Sequence, residues 1–400
     1  MAARQTVDIV ISGGGIAGLT AAAAFGTAGF GVLCVDPAPP VTDEAGDGAD
    51  MRTTAFLQPS RALLARAGLW DRLLPHATPL QVMRIVDAGG ATAEPRFAAD
   101  FDAADLSQDP FGWNFPNWLL RREMAARIAA LPGVTFRPGT ATVSVLPRDR
   151  EAIVGLSDGT RVAARLLVAA DGRASPVRQA LGIGVTTWRY GQKALAFAVT
   201  HPVPHGNVST EIHRSGGPFT LVPLPDRGGR PCSAVVWMER GPEAERLAAL
   251  PAPAFEAAMS ERSGHLFGPL TLATRRSVWP IVSQIADRFA AGRTALVAEA
   301  AHVVPPIGAQ GLNMSLADTA CLLDLALAAG DDLGGPAMLA AYHRRRWPEA
   351  RARLAGIDLL NRASMAGAPV LRDLRGQALR LMHGLAPLRR GLMRAGLGVG

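Results

Sequence analysis

The run Gly13-Gly14-Gly15-Ile16-Ala17-Gly18 constrains this chain more than any other stretch of it. It follows a short apolar segment, Val7 to Ile11, that reads as a buried strand, and it opens an Ala/Leu-rich helix over residues 19–28; a second strand, 32–35, then ends at Asp36. Strand, G-x-G-x-x-G, helix, strand and acid make one mechanical unit. Gly13 permits the tight turn, Gly15 lets a pyrophosphate approach the backbone, and Gly18 lets helix pack on strand. The helix start, with Ile16 and Ala17 in its first turn, offers free N–H groups and the positive end of the helix dipole. Asp36, roughly 20 residues on, sits where a carboxylate takes the ribose hydroxyls of an adenosine. The complete context predicts a dinucleotide-binding α/β domain. No second such run follows another strand, so one dinucleotide is held firmly.

Beyond a Pro-, Gly- and acid-rich stretch at 37–50, helical periodicity is expected over 60–74 and 119–131. Strands are expected at 134–136, 142–146, 153–156 and 162–170. From 193 to 239 the pattern is β throughout, with strands at 194–200, 208–213, 219–224 and 233–238 divided by Gly/Pro turns. This reads as a second, antiparallel sheet inserted into the first domain. A helix over 252–262 and strands at 276–280 and 294–297 follow, and everything from Gly311 onward reads as helix, with breaks at 334–336, 367–369 and 384–387.

The formal charge of +7 raises the question of nucleic acid, but the 41 basic residues are arginines apart from Lys193, the acids are interleaved with them, and no basic run carries stacking aromatics. No nucleic-acid partner is expected. Cys34, Cys232 and Cys321 are odd in number and far apart, without a C-x-x-C pair or histidines at metal-ligand spacing, which points to a reducing compartment and no metal. The start of the chain has no charged n-region or cleavage site, and the longest apolar stretch, 316–329, is interrupted by Asp318 and Asp324, so a cytoplasmic protein is expected.

Two further motifs stand in order behind the first: Ala169-Ala170-Asp171-Gly172-Arg173-Ala174-Ser175-Pro176-Val177-Arg178, and Glu299-Ala300-Ala301-His302 followed by Pro305-Pro306-Ile307-Gly308-Ala309-Gln310-Gly311-Leu312-Asn313. With the glycine run and Asp36 they resemble the p-hydroxybenzoate hydroxylase-like FAD-dependent aromatic hydroxylases, where D-G-x-x-S-x-x-R and G-D-A-A-H…P-x-x-G-Q-G-x-N recur in this order. The continuation to Asp318, the segment Tyr342-His343-Arg344-Arg345-Arg346-Trp347-Pro348, Arg52, Asn117 with Arg121, and Gly217 to Leu224 are similar, more narrowly, to the ubiquinone-biosynthesis hydroxylases, over nearly the whole chain. The resemblance implies an α/β fold: a Rossmann-like FAD-binding domain in three parts (1–80, 111–185 and 276–335), an inserted antiparallel-sheet substrate domain (186–275, with an excursion at 81–110), and C-terminal helices from 336 to 400. It also implies FAD held by Gly13, Gly15, Ile16, Ala17, Gly18, Asp36, Arg52, Arg121, Asp171, Gly172, Glu299, Pro306, Gly308, Gln310, Gly311, Leu312 and Asn313. Three positions depart from the pattern: Ala298-Glu299 replaces Gly-Asp, Gly308-Ala309 replaces Ala-Gly, and Pro305 replaces a histidine or similar residue. Glutamate keeps the charge and reaches roughly 1.5 Å farther, so FAD is expected still to bind, in a slightly altered pocket; alanine beside the flavin is expected to restrict ring swinging.

The chemistry so implied is hydroxylation of the ring of a polyprenyl phenol in ubiquinone biosynthesis through a flavin C4a-hydroperoxide, with O₂ as co-substrate and NAD(P)H or a separate reductase as transient electron donor. The cofactor performs the hard step, so the protein supplies position, shielding and fields. Gln310 to Asn313 open a helix whose N–H groups suit negative charge on the flavin pyrimidine edge. Phe219, Leu221 and Pro223 alternate on one strand face and are expected, by the resemblance, to line an apolar substrate pocket; plain sheet core is the alternative. No general base is named: a lone His302 after a buried strand reads as structural, and Tyr190 and Tyr342 carry no stronger signal. From 370 to 397, leucines (371, 374, 381, 385, 388 and 392) recur at helical steps between arginines (372, 375, 380, 389, 390 and 394). Such a tail suits peripheral contact with the inner face of an anionic membrane, docking into a biosynthetic complex, or packing on its own domain. A hydroxylase of a soluble aromatic acid and a non-catalytic FAD-binding subunit stay open as alternatives.

Overall fold

The computed structural model describes residues 5–89, 95–214, 216–365, 377, 380 and 383–397. The apolar strand Gln5–Ser12 lies at the centre of a sheet in the order Ala290–Ala291, Thr294–Leu296, Arg161–Ala169, Gln5–Ser12, Val32–Asp36, Val134–Pro138. The four inner strands and the last are parallel, Ile9 pairing with Val32 on one side and with Leu166 on the other. Parallel strands covered on both faces need uninterrupted apolar runs, and Ile9, Val10 and Ile11 are fully buried. Helix Ile16–Thr27 is buried from Ala17 to Phe25 because its alanines and Gly18 let it lie close against strand and neighbouring helices at once. Two antiparallel strands, Ala152–Leu156 and Thr142–Pro147, extend the sheet from Arg161–Ala169.

A second sheet runs in the order His302–Val303, Ser277–Ala286, Val185–Thr200, Arg230–Arg240, Pro218–Arg227, Val208–His213, Val82–Asp87, Phe97–Asp102. It is antiparallel as expected except at one joint: Val208–His213 and Val82–Asp87 pair in parallel, since the excursion enters the sheet from the first domain in the same direction. Strand Val185–Thr200 begins nine residues before its expected start at 194 and pairs with Ser277–Ala286 over 185–189 and 193–196, with a register shift between. Alternation divides the sheet into two faces. On the rear, Leu195, Phe197, Ile212, Phe219, Leu221, Val235 and Trp237 form a closed core with Ala244 and Leu247 of helix Gly241–Ala249 and Phe255 and Met259 of helix Ala252–Arg262. On the front, Ala194 and Met238, flanked by Val236 and Trp279, join the core of the first domain.

The helix expected over 60–74 is divided into Gln58–Arg66, Trp70–Leu73 and a 3-10 turn, Leu74–His76. Gly68 ends the first piece at φ +66°, where a Cβ would stand 2.8 Å from the Arg127 guanidinium. A three-stranded sheet, Thr53–Leu57, Gly112–Pro116 and Thr78–Leu80, was not foreseen; the Trp70 and Trp113 rings pack behind it at 4.8 Å. Helices Gln310–Ala328, Pro336–Met365 and Ala386–Leu397 complete the fold. The first is long and apolar enough to cross a membrane, yet half of it is buried inside the protein as a core helix. Leu371, Arg372, Leu374, Arg375 and Leu381 of the amphipathic tail lie outside the described residues.

Candidate active site and cofactor cradle

The three motifs converge because their strands are neighbours. Gln5–Ser12, Arg161–Ala169 and Thr294–Leu296 end side by side, Ala170 N–H donating to Ser12 O (2.8 Å) and Val297 N–H to Ala169 O (3.0 Å). Ligands bind at such carboxyl ends in open α/β sheets. Gly13 takes φ +110°, and a Cβ there would lie 2.2 Å from Ala170 O; a Cβ on Gly18 would lie 1.8 Å from Gly13 O. At Gly15 a Cβ would meet nothing within 4 Å. Two glycines are thus required by the protein's own packing, and the third borders open space above the helix start. Asp36 accepts from Gly14 N–H at 2.5 Å and from Ala38 N–H at 2.9 Å, which fixes its carboxylate at the edge of that space.

Asp171 accepts from Val177 N–H (3.1 Å), while its Oδ1 is buried without a partner among the described residues. Burial, only partly offset by Ser175 and Val177, holds its carboxyl above the usual range. Gly172 follows at φ +84° with open space around it. Buried Arg178 then donates to Arg173 O and to Ala300 O, both at 2.9 Å, and so locks the second motif to the third. In the third motif Ala298 and Ala309 take φ +55° and +56°, the left-handed conformation that glycine adopts without cost. The backbone keeps the shape of the glycine-bearing pattern although both glycines are lost. Glu299 is exposed and close enough to Arg52 to raise the arginine's pKa, after the larger contribution of Asp50.

Arg52 binds Asp50 through two hydrogen bonds (2.7 and 2.6 Å) and stacks 5.5 Å over Trp279 of the second sheet. Burial alone would raise Asp50; hydrogen bonds from Arg52 and Asn117 outweigh it and hold the carboxyl low. Arg121 lies 3.9 Å from the same carboxylate, with a buried Nε that lacks a partner among the described residues. Arg52, Arg121, Ser277 and Trp279 face a cavity of about 370 Å³. Asp50, the hub of this network, was missed in the sequence because it closes an acid-rich loop.

Helix Gln310–Ala328 begins after Ala309 with no side chain capping its first turn, so the N–H groups of Gln310, Gly311 and Leu312 keep the donor capacity of a helix start. Asn313 commits its side chain to the protein: Nδ2 donates to Ala55 O (2.8 Å) and Ala309 O (2.6 Å), and Oδ1 accepts from Leu57 N–H (2.9 Å) and Ser60 (2.6 Å). It staples the helix to strand Thr53–Leu57. Pro306 and Gly308 form the turn ahead of the helix, Gly308 at φ +62°. Below it, His302 Nε2 is 2.6 Å from Asp318, which accepts from Arg346 at 2.8 Å. Burial alone would raise Asp318; His302 and Arg346 outweigh it and hold it low. The trio is buried, and His302 Nδ1 has no hydrogen-bond partner among the described residues. Tyr190 donates to Asp358 (2.6 Å) and Tyr342 to Leu296 O (2.8 Å).

The expected pocket wall needs revision. Phe219 and Leu221 belong to the closed rear core, the Phe219 ring 5.3 Å from that of Trp237, and Pro223 follows them by alternation. The opposite face carries Thr220 and Val222, one residue out of phase: Thr220 stands opposite Val236, and Val222 packs against a small cluster of Ala198, Leu224, Cys232 and Ala234.

A dinucleotide bearing a diphosphate, hydroxyls and a polar ring edge fits what the described residues leave open: bare backbone at Gly15, an Asp171 oxygen and an Arg121 nitrogen without partners among them, and an uncapped helix start. A model of the FAD binding domain family matches residues 6–355. The chain belongs to this FAD-binding family. Among its relatives, ubiquinone hydroxylase UbiL of Rhodospirillum rubrum is 36% identical over 400 residues, covering 99% of this chain and 90% of that protein. The 3-demethoxyubiquinol 3-hydroxylase of Escherichia coli is 26% identical, covering 99% and 100%. The fold is shared with p-nitrophenol 4-monooxygenase PnpA from Pseudomonas putida DLL-E4, at a TM-score of 0.80 and 20% identity over 98% of each chain. This member of the FAD-binding family is an FAD-dependent monooxygenase of the aromatic-hydroxylase type.

Proposed function

We propose that the protein hydroxylates the aromatic ring of a polyprenyl phenol in ubiquinone biosynthesis, with FAD as its resident cofactor and O₂ as oxidant. The single observation that carries this reading is the end-to-end similarity to a ubiquinone hydroxylase. Bound FAD, reduced by NAD(P)H or by a separate reductase, supplies the activated oxygen. The chain's own residues do the rest. Gly13, Gly15 and Gly18, with the first turn at Ile16 and Ala17, admit the diphosphate, and Asp36 takes the adenosine ribose. Asp171 and Glu299 hold hydroxyls of the linking chain, Gly172, Pro306 and Gly308 leave room for it, and Arg52 and Arg121, anchored on Asp50, supply positive charge beside it. Gln310, Gly311 and Leu312 offer N–H groups to the polar edge of the ring system, and Asn313 holds that helix start in place. The front face of the second sheet excludes water and receives the substrate ring.

The test is the visible spectrum of the purified protein with the released cofactor identified, followed by anaerobic reduction and readmission of O₂ with a polyprenyl phenol present. Bound FAD and a product heavier by one oxygen atom are expected; FAD without oxygenation under any reductant would favour a non-catalytic subunit.

The division into domains at the boundaries given above belongs to the same proposal, with Ser277–Ala286 counted to the second sheet. So does peripheral membrane contact by a cytoplasmic protein. Leu385, Leu388 and Leu392 are exposed beside Arg390 and Arg394, a pattern suited to an anionic surface and a bilayer-borne substrate. Replacing the three leucines by serine is expected to reduce pelleting with anionic liposomes; unchanged pelleting of the folded variant would refute the contact.

A further inference from the structure

We propose that Glu211 and His213 are the proton-handling pair of the substrate pocket: His213 takes the proton of the substrate's phenolic hydroxyl, and Glu211 holds the imidazole in the tautomer able to receive it. The inference rests on the aromatic-hydroxylase reading above and names the base that reading lacks.

The register of the second sheet places the pair. Glu211 stands opposite Thr220, which stands opposite Val236; His213 stands opposite Pro218. Cross-strand partners share a face. Ile212, between them, lies opposite Phe219 in the rear core, so Glu211 and His213 project to the front, the face on which Val236 and Met238 meet the first domain. On the other side, Ile85 and Asp87 are in register with the pair, and Ala99 and Phe97 lie beyond them. The front of this edge is covered. Phe97 and Phe101 meet the ring of His383 at 6.4 and 5.8 Å, and Arg389 binds Asp105 at 3.0 Å. Helix Ala386–Leu397, about 18 Å long at 1.5 Å per residue, then runs on until Gly396 O accepts from Gln310 Nε2 at 2.9 Å. The helix thus joins the outer strand of this sheet, Phe97–Asp102, to the start of the Gln310 helix, and the pair stands on the same front face, two strands in from that contact. On the reading above, that face receives the substrate ring.

The chemistry of the pair fits such a place. Glu211 is only 5% exposed, and its carboxylate accepts from His213 Nε2 at 2.7 Å. His213 Nδ1 is buried and has no hydrogen-bond partner among the described residues. Buried polar atoms without partners are rare and cluster where a ligand supplies the missing bond. With Nε2–H given to Glu211, Nδ1 carries the lone pair, and a phenolic O–H is a matching donor. Transfer of that proton leaves a phenolate, whose ring is richer in electrons, and an imidazolium facing the Glu211 carboxylate. The electron pair stays on the phenol oxygen, and the proton returns to it once the ring has been oxygenated. His213 touches substrate; Glu211 acts through His213 and is a positioning residue. The charged groups on the elements around this edge are Asp87 with its partner Arg96, Arg262, which donates to Ile212 O at 3.3 Å, and, at the outer strand, Arg380 over the Phe97 ring, His383 and Arg389.

The test uses the FAD-loaded full chain and a 2-prenylated phenol. Mixed anaerobically with oxidised enzyme at pH 7, the phenol is expected to show phenolate absorbance in the wild type and not in His213→Ala. In turnover, His213→Ala should lose about 10²–10⁴-fold in kcat with little change in KM, and recover as pH rises toward the phenol's own pKa or when imidazole is added. Glu211→Gln should lose less and shift the pH profile. FAD content and the rate of reduction by dithionite should be unchanged in both. Should His213→Ala fail to load FAD, His213→Asn and Glu211→Gln carry the same measurements. Equal phenolate absorbance in wild type and variants, or wild-type kcat with an unaltered pH profile, overturns the proposal. Phenolate formation that depends on His213 without any hydroxylated product would instead uphold the pair and count against the hydroxylase reading.

Discussion

At the scale of single residues, the three glycines of the first motif separate by what a side chain would meet. A Cβ at Gly18 would lie 1.8 Å from Gly13 O, whereas one at Gly15 meets nothing within 4 Å. Gly15→Val is therefore expected to fold with wild-type far-UV circular dichroism and bind FAD at least tenfold more weakly, while Gly18→Val should not fold; fluorescence titration of the apoprotein with FAD separates the two. Ala298 and Ala309 give the opposite kind of prediction. A non-glycine residue in the left-handed region costs of order 1 kcal/mol, so Ala298→Gly and Ala309→Gly should each stabilise the protein by about that much, read as a rise in urea midpoint. The identities of these residues were legible in the sequence, and so was their departure from the family pattern. Their conformation was not: nothing in the letters Ala298-Glu299 or Gly308-Ala309 says that the fold imposes a positive φ on the alanine, since that demand comes from strand Thr294–Leu296 and helix Gln310–Ala328 being fixed by other contacts.

At the scale of elements, local patterns carried most of the architecture. The strand Val208–His213 and the helix Ala252–Arg262 fall where alternation and helical periodicity put them, and the first strand–helix–strand unit agrees to within a few residues. The split at Gly68 was misread because one glycine in an apolar stretch is tolerated in many helices; only the Arg127 side chain, 59 positions away, makes it a stop. The phase of strand Pro218–Arg227 was legible but its two faces were not distinguishable. Phe219 and Leu221 are the more apolar set, and they belong to the closed rear core, under helices Gly241–Ala249 and Ala252–Arg262, the former not foreseen. The pair Glu211 and His213 carried a faint signal, two ionisable residues at a period of two inside an otherwise apolar strand. Strand Arg230–Arg240 ends in a related anomaly. Burial, with Glu243 nearby and Arg262 only partly compensating, pushes the carboxyl of Glu239 up to about 7. A carboxyl whose folded pKa lies above its unfolded value binds more protons in the native state, so stability falls as pH rises from about 4.5 through 7. Glu239→Gln should accordingly gain up to about 3 kcal/mol at pH 8 and converge with the wild type below pH 4.5, measured by urea denaturation at both pH values.

At the scale of the whole molecule, the proposed site draws on distant parts of the chain: the glycine run, the Asp171 turn, the Glu299 turn, the front of the second sheet and a helix near residue 390. The last of these links the second sheet to the Gln310 helix, through Arg389 with Asp105 and Gly396 with Gln310, and on the proposed reading it acts as a shield. Ending the chain at Leu385 should leave the FAD spectrum intact and lower the yield of hydroxylated product per NAD(P)H consumed, the remainder appearing as hydrogen peroxide; an unchanged yield would show that the helix is not a shield. Sheet order carries a further consequence. Strand Gln5–Ser12 has Arg161–Ala169 as its neighbour, and that strand in turn has Thr294–Leu296. During translation at about 5–20 residues per second, strand Gln5–Ser12 is made roughly 8–30 s before its neighbour Arg161–Ala169. For that interval one of the most apolar segments of the nascent chain lacks the pairing it will have in the finished fold. Its production in cells should therefore depend on chaperone capacity more steeply than its final stability would suggest.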